Sequence, residues 1–297
     1  MKFPFALPPQ SFGAPIPVWT GKGFQVGREI FPVLEYSYDR QGWSDDLTAF
    51  HEEAAGADHF IDLASRSYAL HQVRNYCGQR SSVILEVGCS SGFMLRSLLN
   101  HFPSAFVMGS DVVDGPLKQL AAALPHLPLL RFDLVHCPLP DNSIDIVIML
   151  NVLEHIENDK AAMNQVYRIL KSGGVAIIEV PAAPHLYDAY DELLCHFRRY
   201  RLASLRSLAV QTNFQIIKAS HLGCFIYPGF WLVKKKNRRL LSKEGAIKRS
   251  LVEKNIRRTG SNSILKTLMK LELSIGKTLS YSFGIRCLLL CMKPELK

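Results

Sequence analysis

Residues 82–99 read Ser82-Val-Ile-Leu-Glu-Val-Gly-Cys-Ser-Ser-Gly-Phe-Met-Leu-Arg-Ser-Leu-Leu99, and their pattern decides the fold. Val83, Ile84, Leu85 and Val87 form a short apolar run, the signature of a strand buried on both faces. Five small residues follow, Gly88-Cys89-Ser90-Ser91-Gly92. Phe93, Leu95, Leu98 and Leu99 then recur at helical spacing. Strand, glycine loop and helix form the opening unit of a doubly wound nucleotide-binding sheet. The glycines let the backbone approach a ligand, and the helix N-terminus offers it free N–H groups.

Glu86 narrows the ligand. A dinucleotide fingerprint places a pyrophosphate at this loop, which a carboxylate would repel, and it needs three glycines at a spacing absent here. An acid suits a cationic or hydroxylated ligand instead. The stretch Glu86-x-Gly88-x-Ser90-x-Gly92 resembles motif I of class I S-adenosylmethionine-dependent methyltransferases, with Ser90 at the middle glycine. The resemblance implies a Rossmann-like α/β fold, doubly wound, with a seven-stranded, mostly parallel sheet. It also implies that S-adenosylmethionine is the cofactor and that residues 86 and 88–92 cradle it.

Later motifs arrive in the family's order. Ala105–Gly109 reads as the second strand, ending at Asp111. Asp111 lies 19 residues beyond Gly92, where an acid can accept hydrogen bonds from ribose hydroxyls. Val112 follows it, and Asp114 is placed to cap the next helix. Leu127–Phe132 is a third strand. In the family, the acid at Asp133 contacts the adenine amino group and the backbone at Leu134 contacts the ring. Ile144–Leu150 is a fourth strand, followed by Asn151-Val152-Leu153-Glu154-His155-Ile156. This run resembles motif IV of the group containing the ubiquinone and menaquinone methylases. Asn151 and Val152 then belong to the cofactor site. His155 is a proton acceptor or a structural residue near the methionine end. Asp159–Leu170 reads as an amphipathic helix. Lys171-Ser172-Gly173-Gly174 reads as a turn, and Val175–Val180 as strand five.

Pro181–Tyr200 follows that strand, so it projects over the carboxyl face of the sheet, and it is dense in reactive groups. It resembles a methyltransferase subgroup carrying H-x-R-R-Y. His196 is suited to remove a proton from a hydroxyl as a methyl transfers. Asp191 lies five residues earlier and shares a cleft with His196 only if the segment is not a straight helix. Tyr187, Arg199 and Tyr200 are candidates for substrate binding. The alternative is that Arg198, Arg199 and Tyr200 clamp Asp191 or Glu192 and cap the next helix.

The remaining expectations concern organisation. Residues 1–57 form a proline- and aromatic-rich arm; Phe31, Tyr36, Tyr38 and Trp43 pack on the core or cover a ligand. Residues 58–223 form the methyltransferase core, opened by a helix over 58–77. Residues 224–283 form a basic, mainly helical insertion, and 284–297 hold the last strand and the C-terminus. From Pro228 onward the chain has 17 Lys and Arg against 4 Asp and Glu, a balance of +13; the first 227 residues stand at −4. Such asymmetry points to an anionic partner for the C-terminal part.

Phe225–Val233 beside Lys234–Lys236 and Arg238–Arg239 suits a membrane interface. Ile264, Leu268, Leu271, Ile275 and Leu279 share a stripe opposite Lys266, Lys270 and Lys277, for docking on the sheet, on a second copy in a homodimer, or on a membrane. The lysines are not interleaved with aromatics, which argues against nucleic acid. The seven cysteines form no C-x-x-C pair, so no metal site is expected, and most read as buried thiols of a reducing compartment. The N-terminal residues lack the apolar core of a signal peptide, and no run is long enough to span a bilayer. The expectation is a cytoplasmic enzyme, with peripheral contact at the inner face of a membrane. The methyl acceptor is expected to be a small-molecule or lipid-linked compound, methylated on oxygen; the alternative is a non-catalytic binding or scaffold protein of the same fold, recruited to a membrane or partner through its basic insertion.

Overall fold

The computed structural model describes residues 2–36, 59–77, 81–238 and 262–295. Four short strands occupy the N-terminal arm: β1 (Val18–Trp19), β2 (Phe24–Val26), β3 (Glu29–Phe31) and β4 (Leu34–Glu35). The core then runs α1 (Phe60–Cys77), β5 (Val83–Val87), α2 (Phe93–His101), β6 (Phe106–Asp111), α3 (Asp114–Ala123), β7 (Leu129–Arg131), β8 (Ile144–Leu150), α4 (Asp159–Ile169) and β9 (Leu170–Pro181). After these come α5 (Ala189–Leu193), α6 (Leu202–Gln211), β10 (Gln215–Leu222), α7 (Tyr227–Asn237), α8 (Ser263–Gly276) and β11 (Arg286–Met292).

The main sheet has the order β10-β11-β9-β8-β5-β6-β7-β4. β5 to β9 pair in parallel, and β11 is antiparallel to both β9 and β10. The expected seven strands are present, and an eighth joins them. The arm contributes it: β4 pairs in parallel with β7, Leu34 opposite Leu130. Arm residues Leu7, Trp19, Phe24 and Leu34 are buried in the same core cluster as β5 and β6. Phe31 is exposed, and Tyr36 donates its hydroxyl to the Pro8 carbonyl; Tyr38 and Trp43 lie outside the described residues.

Alternation along the strands sends side chains to two cores. Ile84, Ile146, Ile148 and Ile177 face α1, α2 and α3, whereas Leu85, Val147, Met149 and Ile178 face α4 and α6. Continuous apolar runs are therefore what both layers of helices require.

Three local expectations change. Lys171–Gly174 is not the turn that ends α4. Leu170 already pairs with Ile144, and the register resumes only at Val175 opposite Ile146, so the four residues bulge within β9. Asp114 is the first helical residue of α3, and Val113 occupies the cap position. On α8 the buried residues are Met269 and Glu272, while Ile264, Leu271 and Leu279 are exposed. The apolar stripe read from the sequence is docked only in part: Leu268 packs on the core beside Leu265 and Leu273, and the face that α8 turns to α1 is rotated towards Met269, leaving Ile264 and Leu271 exposed.

Candidate active site

The loop between β5 and α2 is held open by backbone conformation. Gly88 and Gly92 have φ of 72° and 75°, and Ser90 adopts 46°, a left-handed conformation unusual for a serine. A Cβ on Gly88 would meet Val152 Cγ2 at 2.6 Å, and one on Gly92 would meet Leu120 Cδ1 at 2.6 Å. Asp111, at the tip of β6, organises this loop. Its Oδ2 accepts the Ser90 N–H at 2.8 Å, and its Oδ1 accepts those of Val112 at 2.7 Å and Val113 at 3.0 Å. Asp133, beyond β7, caps a 3-10 turn over Leu134–His136 and accepts the Val135 N–H at 3.1 Å. Both carboxylates are therefore engaged with the backbone of the loops that they follow.

A cavity of about 130 Å³ opens beside the loop. Glu86, Gly88, Cys89, Ser90 and Asn151 line it, together with Arg66 on α1. Ser91, Gly92, Asp111, Val112, Asp133, Leu134 and Val152 lie outside its wall. The volume is below that of pockets enclosing whole small-molecule ligands, so it suits one end of an extended molecule.

Glu86 is buried, and its Oε2 has no hydrogen-bond partner. Burial and the nearby Asp111 charge push its carboxyl well above the usual range. A cationic amino group placed in this cavity would satisfy the orphaned oxygen. Asn151 takes a left-handed φ of 57° at the end of β8, and its Oδ1 is likewise buried without a partner. A glycine cradle, an unpaired buried acid and acids at neighbouring strand tips fit an adenosyl-amino-acid ligand. Burial pushes the Cys89 thiol well up, so Cys89 is not poised as a nucleophile.

A second cluster lies beyond β8 and β9. Helix α5 is only five residues long, and its cap is a capping box between Asp188 and Asp191. The chain reverses at Cys195, with φ of 54°, and the His196 N–H returns to the Asp191 carbonyl at 2.9 Å. That reversal brings His196 and Asp191 together, the condition that their spacing left open. Asp191 Oδ1 accepts from His196 Nδ1 at 2.9 Å and Arg199 Nε at 2.8 Å; Oδ2 accepts from Lys234 Nζ at 2.9 Å. Burial opposes charge on Asp191, yet the His196 hydrogen bond and the Lys234 and Arg199 charges outweigh it and hold the carboxyl far below its usual range. Burial lowers the His196 pKa against the opposing pull of Asp191, so the imidazole is neutral at pH 7.

His155 meets His196 edge to face, with ring centroids 4.6 Å apart. Glu154, beside it, is fully buried, and both of its oxygens lack hydrogen-bond partners; burial pushes its carboxyl up to about 8. Atoms of Glu154, His155 and His196 able to ligate a metal lie within 4.8 Å of one another. A carboxyl and two imidazoles form a donor set that a divalent cation could use. Glu179 on β9 completes the buried acids. Its Oε1 accepts the Ser65 hydroxyl at 2.8 Å and faces Arg286 at 3.7 Å, and burial pushes its carboxyl up to about 7.

Two expected substrate contacts are spent inside the protein. Arg199 is buried and divides its donors between Asp191 and the Ala182 carbonyl. Tyr200 is buried and donates to Asp159 Oδ2 at 2.8 Å. The clamp on Asp191 therefore holds for Arg199, whereas Tyr200 and Arg198 pair with Asp159 instead and no side chain caps α6. Tyr187 is half-buried and donates to the His196 carbonyl at 2.9 Å. Lys234, read with Lys235 and Lys236 as a basic cluster suited to a membrane interface, is buried between Asp188 (2.6 Å) and Asp191.

The sequence reading did not single out Glu179, Arg66, Lys234 or Arg286. Glu179 was detectable as a lone acid in the apolar strand Val175–Val180. Nothing in the Lys234–Lys236 run distinguishes its first member from the others.

Residues 85–178 match the family described as a methyltransferase domain. The chain is 26% identical over 135 residues to a protein of Mycolicibacterium smegmatis named "Probable S-adenosylmethionine-dependent methyltransferase", covering 45% of this chain and 52% of that one. It is 32% identical over 128 residues to a tRNA N(3)-cytidine methyltransferase of Bos taurus, covering 39% and 32% respectively. The chain thus spans about half or less of these relatives. Phosphoethanolamine N-methyltransferase 2 of Haemonchus contortus, solved with S-adenosyl-L-methionine, superposes with a TM-score of 0.55 at 16% identity, over 84% of this chain and 57% of that one. At that identity the likeness is one of fold.

Proposed function

We propose that the protein is an S-adenosylmethionine-dependent methyltransferase that methylates an oxygen of a small-molecule or lipid-linked acceptor. The observation that carries this reading is the buried, unpartnered Glu86 oxygen in a cavity walled by the glycine loop. The matched methyltransferase domain, residues 85–178, begins at that strand and supports the same reading. When bound, S-adenosylmethionine supplies a methyl group made electrophilic by its sulfonium. Glu86 would hold its amino group, the loop would admit its backbone-sized approach, and Asp111 and Asp133 would accept from its ribose and adenine.

The chain's own task is then to position an acceptor and take its proton. Asp191 accepts from Nδ1 of His196, which keeps the proton on Nδ1 and the lone pair on Nε2. A neutral, fixed imidazole is suited to receive the proton of a hydroxyl. Arg199 and Lys234 hold Asp191 in place, so they act on His196 indirectly. The exposed Trp231, Leu232 and Val233 of α7, beside Lys235, support a lipid-linked acceptor.

The test uses S-adenosylmethionine labelled in its methyl group and a panel of phenolic, sugar and lipid-extract acceptors. The expected result is label in an ether or ester product. His196→Ala should lose more than 100-fold in rate while binding S-adenosylhomocysteine as the parent does. Equal rates in the two proteins would remove His196 from the chemistry. Label on nitrogen or carbon alone would overturn O-methylation.

A further inference from the structure

We propose a second ligand site, distinct from the cofactor cavity, that binds the phosphate group of a phosphorylated compound. A cavity of about 370 Å³ lies between α1, the end of β10 and α8, within the size range of small-molecule pockets. Its wall concentrates basic side chains: Arg74 from α1, Lys218 from β10, and Lys270 and Lys277 from α8 and the residue after it are cations, and His71 and His221, whose pKa values burial lowers, line it as imidazoles. His101, at the end of α2, adds a seventh basic side chain.

One acid, Glu272, also lines the cavity, and its charge is already committed. Its Oε1 accepts the N–H groups of Gly223 at 2.6 Å and Cys224 at 3.0 Å, and its Oε2 accepts that of Phe225 at 3.0 Å. Glu272 thereby fixes the turn after β10, and its single negative charge stands against the four cations Arg74, Lys218, Lys270 and Lys277 in the same wall. Among the described residues, no carboxylate forms an ion pair with Arg74, Lys218, Lys270 or Lys277.

The cations act on one another. Burial lowers the His71 pKa, and the charges of Lys277, Lys218 and Arg74 lower it further. Lys218 is anchored by the Gly276 carbonyl at 2.6 Å at the end of α8, which fixes its ammonium in this wall. Like charges collected in a concavity are unfavourable until an anion enters, and a multiply charged anion gains most. Phosphate esters match that requirement, and the Ser67 and Ser274 hydroxyls beside the lysines add neutral donors. Along α1 the two cavities use successive stretches: Asp62, Ser65 and Arg66 line the cofactor cavity, and residues from Ser67 to Arg74 line this one.

The experiment is calorimetric titration of the full chain with inorganic pyrophosphate, repeated on Lys270→Glu/Lys277→Glu, with S-adenosylhomocysteine binding as the control for folding. The expected result is one site per chain, weakened at least tenfold in the variant while S-adenosylhomocysteine binding is unchanged. If the double variant does not fold, Arg74→Gln serves in its place, with at least a threefold loss expected. Absence of pyrophosphate binding, or equal binding by parent and variant, overturns the site. Flotation with phosphatidylcholine vesicles containing phosphatidic acid then separates the sources. Flotation that pyrophosphate competes away assigns a lipid headgroup. Pyrophosphate binding without flotation assigns a soluble phosphorylated ligand.

Discussion

The glycine loop and the Asp191 cluster stand side by side and are built on opposite principles. The loop is local. Gly88, Cys89 and Gly92 are tied by backbone hydrogen bonds to Ser110 and Cys89, and the Asp111 carboxylate adds bonds from the N–H groups of Ser90, Val112 and Val113. The cluster is joined through side chains: Asp188, Asp191, His196 and Arg199 come from one turn-rich stretch and Lys234 from α7, linked by ion pairs and the His196–Asp191 hydrogen bond. A loop held by backbone geometry should resist the loss of any one charge. A buried ionic cluster should fail as a unit when its central carboxylate is removed.

The largest expected effect tests that failure. Asp191→Ala leaves Arg199 and Lys234 buried without their shared acceptor, which should cost about 3–5 kcal/mol in urea unfolding. Lys235→Gln, one residue from Lys234 but exposed, should stay within about 0.5 kcal/mol. If the two substitutions cost the same, the buried cluster is not the structural unit described.

A second effect comes from the buried acids on the cluster's flank. Glu154 and Glu179 titrate near 8 and 7 when folded, above their unfolded values near 4.5. A carboxyl whose folded pKa is raised favours the native state below the unfolded value, and this contribution is lost as pH rises through the folded one. Stability should therefore fall by several kcal/mol between pH 5 and pH 8.5, the larger share from Glu154. Glu154→Gln should flatten much of that slope in melting curves recorded across the range. An unchanged slope would mean that Glu154 does not carry its proton in the folded state.

The loop should yield smaller losses of stability and larger losses of binding. Gly88→Ala places a methyl group against Val152 at a left-handed φ, for about 1–3 kcal/mol. Val152→Ala in the same chain should recover the steric part and leave the backbone part. S-adenosylhomocysteine affinity should fall at least tenfold in Gly88→Ala, read by calorimetry. Normal affinity would show that the loop does not approach the ligand closely.

The same contrast explains what the sequence could reveal. The order of strands and helices, the loop and the acids at strand tips are legible because each sits in a short run whose periodicity or spacing is its own evidence. Ser90 was legible as a departure from the pattern, and its left-handed φ shows that the loop keeps the glycine-like conformation there. The roles of Arg199, Tyr200 and Lys234 were not legible, since an arginine in a cleft and one in a clamp have the same neighbours in sequence. Likewise the docked face of α8 depends on Glu272 reaching the turn after β10, a partner 49 residues away from Gly223. The edge strand β4 was hidden because two residues carry no periodicity.

The most direct measurement is calorimetric titration of the full chain with S-adenosylhomocysteine, alongside Glu86→Gln. The expected result is one site per chain in the parent and affinity at least tenfold weaker in the variant, whose fold is no less stable because the amide is a neutral group of the same shape as the buried acid. No binding by the parent, or identical affinity in the two proteins, would contradict the assignment of Glu86 and its loop as the cofactor site.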